Sequence, residues 1–422
     1  MSAASQLTPV ERRITLLVAA VQLVNVLDFM MVLPLGPDFA TALGIPTSHL
    51  GYVGGAYTAA GFIAGLIGAV LLDRFDRRQA LAVAIGGLVI ATALGGFAVD
   101  LPTMLGARIL AGFFGGPATA IALAIIADSV PPQRRGRAMG MVSASFAVAS
   151  TIGIPLALEL ATLGGWRMPF FAVATFGAVV AMLVVWAMPP QRAHLQTGDA
   201  ASRAVSLADF GRLLSKPMAR IAMLLVGLAM ITGFMLIPNF SAWIQFNRGF
   251  PREQIGVLYM LGGVVGFFVT RYAGIGVDRF GGTAIALTAA IVNIFAIWAV
   301  FLATNLPVSL YVLFPLFMGA NASRFVVVST VTSKVPDAPE RARFMSMTSS
   351  VQALSSSCAA FVASAVLIEL PGGALGGMPP IATAAIALIL VVPPLIWAVE
   401  RFVEKRAASL RVQTIVETAP TR

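Results

Sequence analysis

Residues 26–34 read VLDFMMVLP, an aspartate in an otherwise apolar run, and the chemistry open to this chain starts with Asp28. An ionised group deep in hydrocarbon costs on the order of 3 kcal/mol, so it needs a counter-ion, a polar cavity or a proton. Gln22, Asn25 and Asp28 follow at three-residue steps, which on a helix gathers them on one side. The basic group at comparable depth is Arg108, in ARILAGFFGGPA. Burial favours the neutral form of a carboxyl, while a nearby guanidinium favours the ionised form. A pair that separates and rejoins therefore changes its proton affinity, whereas one that never separates is only a static buried ion pair. Asn321 and Arg324 share a helical face further along. Arg324 and Arg271 both fall nearer one membrane surface, where a long side chain can also snorkel. Asn239 and Gln245 are further candidates for contact with a bound molecule, with helix packing as the alternative. Glu159 and Glu369 lie near span ends and can reach the interface.

Other chemistries find little support. The two histidines, His49 and His194, fall far apart, and the single cysteine, Cys358, excludes disulfides and thiolate clusters, so no metal site is expected. There is no Gly-x-Ser-x-Gly, and Lys216, Lys334 and Lys405 do not follow a glycine-rich loop. The sequence thus implies no enzyme, no cofactor and no ATP-driven step.

The elements that must position these groups are membrane helices. Of 422 residues, 58% are hydrophobic and only 11% charged, against roughly a quarter charged in a soluble domain. Apolar runs of about 20 residues recur, the length that crosses the hydrocarbon core, and backbone groups there are satisfied only within helices. The expected fold is all-α and polytopic. Twelve spans are read at 14–36, 49–72, 79–99, 103–127, 139–161, 168–189, 218–240, 254–276, 283–303, 307–332, 343–369 and 378–400. On these boundaries Asp28 lies roughly 12 Å from the outer end of the first span, and Arg108 roughly 8–10 Å into the fourth from the same side. The polar stretch 191–217 reads as a linker between two six-helix bundles, 1–190 and 218–422, the second ending in a short tail. The opening MSAASQLTPVERR does not read as a cleavable signal.

Only Arg167, Arg248 and Arg252 fall on one side, Arg108, Arg271 and Arg324 lie within spans, and the remaining 22 of 28 Lys and Arg fall on the side of the termini. By the positive-inside rule, both termini are expected in the cytoplasm of a bacterial-type inner membrane. The net charge of +10 is then accounted for without nucleic acid. The expected partners are lipid, protons and a small molecule, with the chain a monomer.

LLDRFDRR and GVDRFGG are related by an offset of 205, which also pairs Gly51 with Gly256, Gly61 with Gly266 and Phe62 with Phe267. Val130-Pro131 pairs in the same way with Val335-Pro336, each followed by a basic loop. The two bundles are read as parallel repeats, a recurrent build for secondary transporters. The repeat is chemically asymmetric, since Gly233 stands where the second copy would place Asp28. Small-xxx-small pairs such as Gly51/Gly55, Gly61/Gly65, Gly112/Gly116 and Gly262/Gly266 fit closely approaching helices.

The paired loop motifs, with ARILAGFFGGPA and IGIPLALELATLGGWRMPF, resemble the major facilitator superfamily and its drug- and sugar-efflux proton antiporters. The resemblance implies that spans one and four line a central cavity, so that Asp28 and Arg108 could face each other there and couple proton movement. It implies a substrate-lining role for span ten, with Asn321 and Arg324. It also implies a conformational gate: Asp73 caps a helix of the other bundle, Arg74 and Arg77 follow it, and Arg77 pairs with Asp128. Asp278 and Arg279 form the second copy, in which Ser333 replaces the equivalent of Asp128. Departures from the family pattern are Ala69 and Asp76 in the first loop motif, Ala111 in span four, and the split Gly153-Ile154-Pro155 in span five. The expected function is proton-coupled efflux of a small organic molecule; the alternative is proton symport that takes up an anionic or neutral metabolite.

Overall fold

The computed structural model describes residues 7–71, 74–192, 207–303, 306–337 and 340–418. Twelve helices in it are long and apolar enough to cross a membrane. They are α1 (Pro9–Leu43), α2 (Leu50–Leu71), α3 (Arg77–Gly96), α4 (Leu101–Ser129), α5 (Pro132–Gly164), α6 (Arg167–Ala187), α7 (Pro217–Asn247), α8 (Ile255–Phe280), α9 (Gly282–Leu302), α10 (Leu310–Thr332), α11 (Arg341–Val366) and α12 (Met378–Thr418). All twelve spans of the sequence reading are present, several with longer ends. The added turns are polar or capped and extend past the apolar run. α1 begins in a capping box, with Thr8 Oγ1 accepting from Glu11 N and Glu11 accepting from Thr8 N; Asp100 and Thr103 repeat it at α4. Such caps supply partners to backbone N–H groups that the first helical turn leaves unbonded.

Three differences from the sequence boundaries bear on function. α1 does not stop at residue 36 but runs through Pro34 and Pro37 to Leu43. Asp28 is therefore 15 residues, roughly 22 Å, from the helix end instead of roughly 12 Å. α7 is broken at Met235–Leu236, where Pro238 in the next turn has no N–H to continue the ladder. α11 ends at Val366, and a small antiparallel hairpin follows, pairing Ile368–Glu369 with Leu375–Gly376. Within the stretch 191–217, residues 193–206 lie outside those described; Gln191, Arg192 and a short helix, Leu207–Leu214, are described at its edges.

Within the first six helices α2 and α3 pack on α4, and α3 on α6; within the last six α8 and α9 pack on α10. The two sets meet through α1 with α7, α2 with α11, and α5 with α8. Phe240, on the outer part of α7, packs its ring on Phe301, Phe314 and Phe317 at centroid distances of 5.6, 4.9 and 5.3 Å. Large apolar side chains such as Trp186, 77% exposed, face outward, as a lipid-facing surface requires.

The α2–α4 contact leaves no room for a side chain at Gly112, since a Cβ there would overlap the Tyr57 carbonyl, whereas one at Gly65 meets nothing within 4 Å. Overpacking of this kind costs about 1–3 kcal/mol. Gly112→Ala is therefore expected to lower the thermal unfolding midpoint of the detergent-solubilised protein and Gly65→Ala to leave it level or slightly raised. Equal midpoints for the two would contradict the packing.

Candidate functional site

Asp28 is fully buried on α1, and Arg108, 1% exposed, reaches it from α4. The guanidinium forks onto the carboxylate, Nη1 to Oδ1 at 3.1 Å and Nη2 to Oδ2 at 3.0 Å. Such end-on, charge-assisted pairing is the strongest hydrogen bonding open to these groups. On α3 the Thr92 hydroxyl lies 2.7 Å from Asp28 Oδ1 and 2.8 Å from the carbonyl of Leu88. Its single hydrogen serves one of these at a time. Tyr57 of α2 lies under Arg108, with the guanidinium carbon 4.8 Å from the ring centroid. The Tyr57 hydroxyl donates to Asn25 Oδ1 at 2.6 Å. Asn25 Nδ2 in turn donates to the Gly115 carbonyl at 2.9 Å and to Thr119 Oγ1 at 2.7 Å, and Thr119 donates to Gln22 Oε1 at 3.1 Å. Gln22, Asn25 and Asp28 thus form one polar stripe joined to α2, α3 and α4.

The remaining candidates do not join this network. On α10, Arg324 Nη2 donates to Asn321 Oδ1 at 2.6 Å and to the Ala229 carbonyl of α7 at 3.3 Å. Arg324 is 3% exposed and does not snorkel, whereas Arg271 is exposed. Asn239 is wholly buried just past the break in α7, and neither atom of its amide has a hydrogen-bond partner. Gln245 donates to Ser241 Oγ at 3.0 Å.

At the end of the bundle that carries the termini, Arg77 pairs with Asp128 and also donates to the Ala124 carbonyl at 3.1 Å. Asp73 lies outside the described residues. Arg74 is exposed; Asp278 is exposed, and Arg279 lies over its neighbour Phe280, 5.3 Å from the centroid. Asp76, one of the departures from the family loop motif, accepts from Arg78 N at 2.9 Å, Gln191 N at 3.1 Å and Arg192 Nε at 2.8 Å, tying the start of α3 to the chain after α6. Burial acts to raise the Asp76 carboxyl, but the Arg192 side chain and the two backbone N–H groups outweigh it and hold it below the usual carboxylate range.

The opposite end holds contacts that sequence reasoning missed. Arg252, before α8, forks onto Asp38 of α1, Nε to Oδ1 at 2.7 Å and Nη2 to Oδ2 at 2.5 Å. Glu369, on the hairpin, accepts from Thr47 N at 2.6 Å where the chain enters α2, and Thr47 Oγ1 donates to the Gly373 carbonyl at 2.9 Å. The Ser241 hydroxyl donates to the Pro34 carbonyl at 3.1 Å. These bonds clamp the first six helices to the last six at the end distal to the termini. Described ion pairs at the terminal end, Arg134–Glu11, Arg192–Asp76 and Lys216–Glu340, each stay within one set. The available signal was Arg252 itself, one of three basic residues on a side otherwise poor in them.

A family model described as Major Facilitator Superfamily matches residues 18–360. The chain is 28% identical over 264 residues to a chloramphenicol resistance protein of Streptomyces lividans, the match covering 63% of this chain and 66% of that protein, just under two thirds of its length. It is 33% identical over 198 residues to a puromycin resistance protein of Streptomyces alboniger, covering 47% of this chain and 38% of that one. Among solved structures, a bacterial homolog of the human lysosomal transporter Spinster superposes with a TM-score of 0.71 at 15% identity, over 95% of this chain and 99% of the other. A D-xylose–proton symporter superposes at 0.72 and 18% identity, over 92% and 97%.

Removing one partner of a buried pair strands the other charge, at about 3–5 kcal/mol, whereas replacing both by apolar groups is often neutral. Arg108→Leu should therefore lower thermal stability sharply, and Asp28→Leu with Arg108→Leu should recover most of it. A double variant no more stable than the single one would show that the pair does not set the energetics of this region.

Proposed function

Because the chain belongs to the Major Facilitator Superfamily, a family of membrane transporters and not of enzymes, we propose that it moves a small organic molecule outward across a bacterial inner membrane in exchange for protons. Its termini are cytoplasmic and its two six-helix bundles, 1–190 and 218–422, rock about a central site. The observation that carries the reading is the Asp28 carboxylate, fully buried and forked to Arg108, with the Thr92 hydroxyl beside it.

Protonation of Asp28 removes the negative half of the pair. The Thr92 hydroxyl accommodates both states: it donates to the carboxylate when Asp28 is ionised, and turns to the Leu88 carbonyl to accept from Asp28 when it is protonated. Arg108 then loses its counter-charge and keeps the Tyr57 ring and a neutral carbonyl acceptor on Asp28, a poorer environment for a buried cation. The proton therefore changes the relative free energy of conformations that bury or hydrate Arg108, as coupling demands. With cytoplasmic termini, the clamp through Asp38–Arg252 and Thr47–Glu369 closes the external side. The Arg77–Asp128 pair and the Asp73 motif belong to the gate of the internal side, and Asp278–Arg279 is its second copy. Efflux is favoured over uptake by the names of the two resistance proteins. Proton symport inward is the second reading, favoured by the unpaired Arg324.

Asp28→Asn keeps the shape and loses the titration. In proteoliposomes it should abolish transport driven by a pH gradient while the protein remains folded and inserted. Undiminished pH-driven flux in that variant would remove Asp28 from coupling.

A further inference from the structure

The buried cations of this molecule are treated unequally. Arg108 has a carboxylate in its fork. Arg324, also buried, has none: among the described residues no acidic side chain reaches it, and its Nε and Nη1 meet no acceptor. Of its five N–H groups, those on Nη2 alone are placed, on Asn321 Oδ1 and the Ala229 carbonyl. Asn321 is itself fixed, since its Nδ2 donates to the Phe317 carbonyl at 2.8 Å and so turns Oδ1 toward the arginine. The guanidinium is thus held by two neutral acceptors with three donors to spare. A buried charge left in this way is costly unless something compensates it.

The chain has a place for an internal counter-ion and does not use it. Gly233 is where the repeat would put the counterpart of Asp28. A Cβ built on it would lie 3.9 Å from Arg324 Nη2 and 3.6 Å from Asn321 Oδ1, in ordinary contact with its neighbours. The Cβ of a longer side chain is sterically admissible there, yet the position carries only hydrogen. Beside it, a cavity of about 190 Å³ lies between α7, α10 and α11. Ala229, whose carbonyl holds Arg324, lines it, as do Ser329, Thr332, Thr348, Ser349 and Gln352. On α10 its lining runs from Phe325 to Thr332, so Arg324 stands at the end nearest the middle of that helix.

We infer that the molecule carried is a small organic acid, bound as its anion by Arg324 and Asn321, with its remaining polar groups taken by the hydroxyls and amide of the adjoining cavity. The inference rests on the transporter reading and names its substrate class, whatever the direction of flux. A cationic substrate would meet an uncompensated positive charge, and a neutral one would leave that charge uncompensated; an anion removes the cost on binding. The counter-ion is then removable, which a transporter needs and an internal aspartate would prevent.

The test is binding by the purified full-length protein without a proton gradient, read as thermal stabilisation during titration with benzoate, 4-hydroxybenzoate and hexanoate against the matching amides and amines. Carboxylates are expected to raise the unfolding midpoint, and amides and amines are not. Arg324→Gln should weaken carboxylate binding by about tenfold or more. Gly233→Asp, which supplies the counter-ion from within, should do the same while leaving the protein at least as stable as the parent, so that misfolding is not mistaken for the effect. The inference is overturned if no carboxylate stabilises the parent, if amides or amines do so equally, or if both variants bind carboxylates unchanged. Any of these results leaves the Asp28 reading standing, because that reading is judged by pH-driven flux; loss of the flux result in turn leaves this binding intact.

Discussion

Hydrocarbon does not tolerate an unneutralised charge, and much of the first six helices is arranged around that fact. Arg108 forks onto Asp28, but the pair demands more than two residues. Arg108 can lie over Tyr57 only if α2 and α4 run close together, and they do so where Gly112 faces the Tyr57 backbone. Tyr57 then engages Asn25, and Asn25 returns to α4 through Gly115 and Thr119. Thr92 brings in α3. One ion pair therefore fixes the mutual placement of four helices, and its disruption is felt by all of them. A change at this pair would reach all four helices through packing as much as through charge.

The last six helices satisfy the same constraint differently. Their buried arginine is held by a side-chain amide and a backbone carbonyl, both neutral, and the neighbouring α7 is broken two residues beyond Gly233. Backbone irregularity at membrane depth is tolerated where it lies against protein or a cavity. The repeat visible in the sequence is thus a repeat of helices and not of chemistry: one set holds a buried arginine on a carboxylate, the other holds a buried arginine on neutral acceptors.

How far the sequence could be read follows from how strongly physics limits each feature. The twelve spans were legible because the thickness of the bilayer fixes the length of an apolar run. Asp28 and Arg108 were legible because acids and bases are rare at that depth, so two of them at comparable level have few alternatives to each other. Arg108 lies seven residues into α4, as the reading placed it, whereas α1 runs on beyond Asp28 through two prolines that sequence reasoning treats as near its end. Thr92 and Tyr57 were missed, since an isolated hydroxyl in an apolar run carries no mark of its partner. Asp38–Arg252 and Glu369–Thr47 join residues 214 and 322 positions apart, and nothing in local composition encodes such a meeting. The spare donors of Arg324 were equally invisible, because a missing partner becomes apparent only when every neighbour has been placed.

Pro34 and Pro37 lie on α1 between Asp28 and Asp38. Each deletes one rung of the helix ladder, and the Pro34 carbonyl accepts from Ser241 of α7. The stretch between the two aspartates, ten residues and roughly 15 Å of rise, therefore lacks two rungs, while one end is held to α4 by Arg108 and the other to Arg252. The contact that joins α1 to Arg252 and the ion pair that joins it to Arg108 are therefore borne by the two ends of one short helical segment.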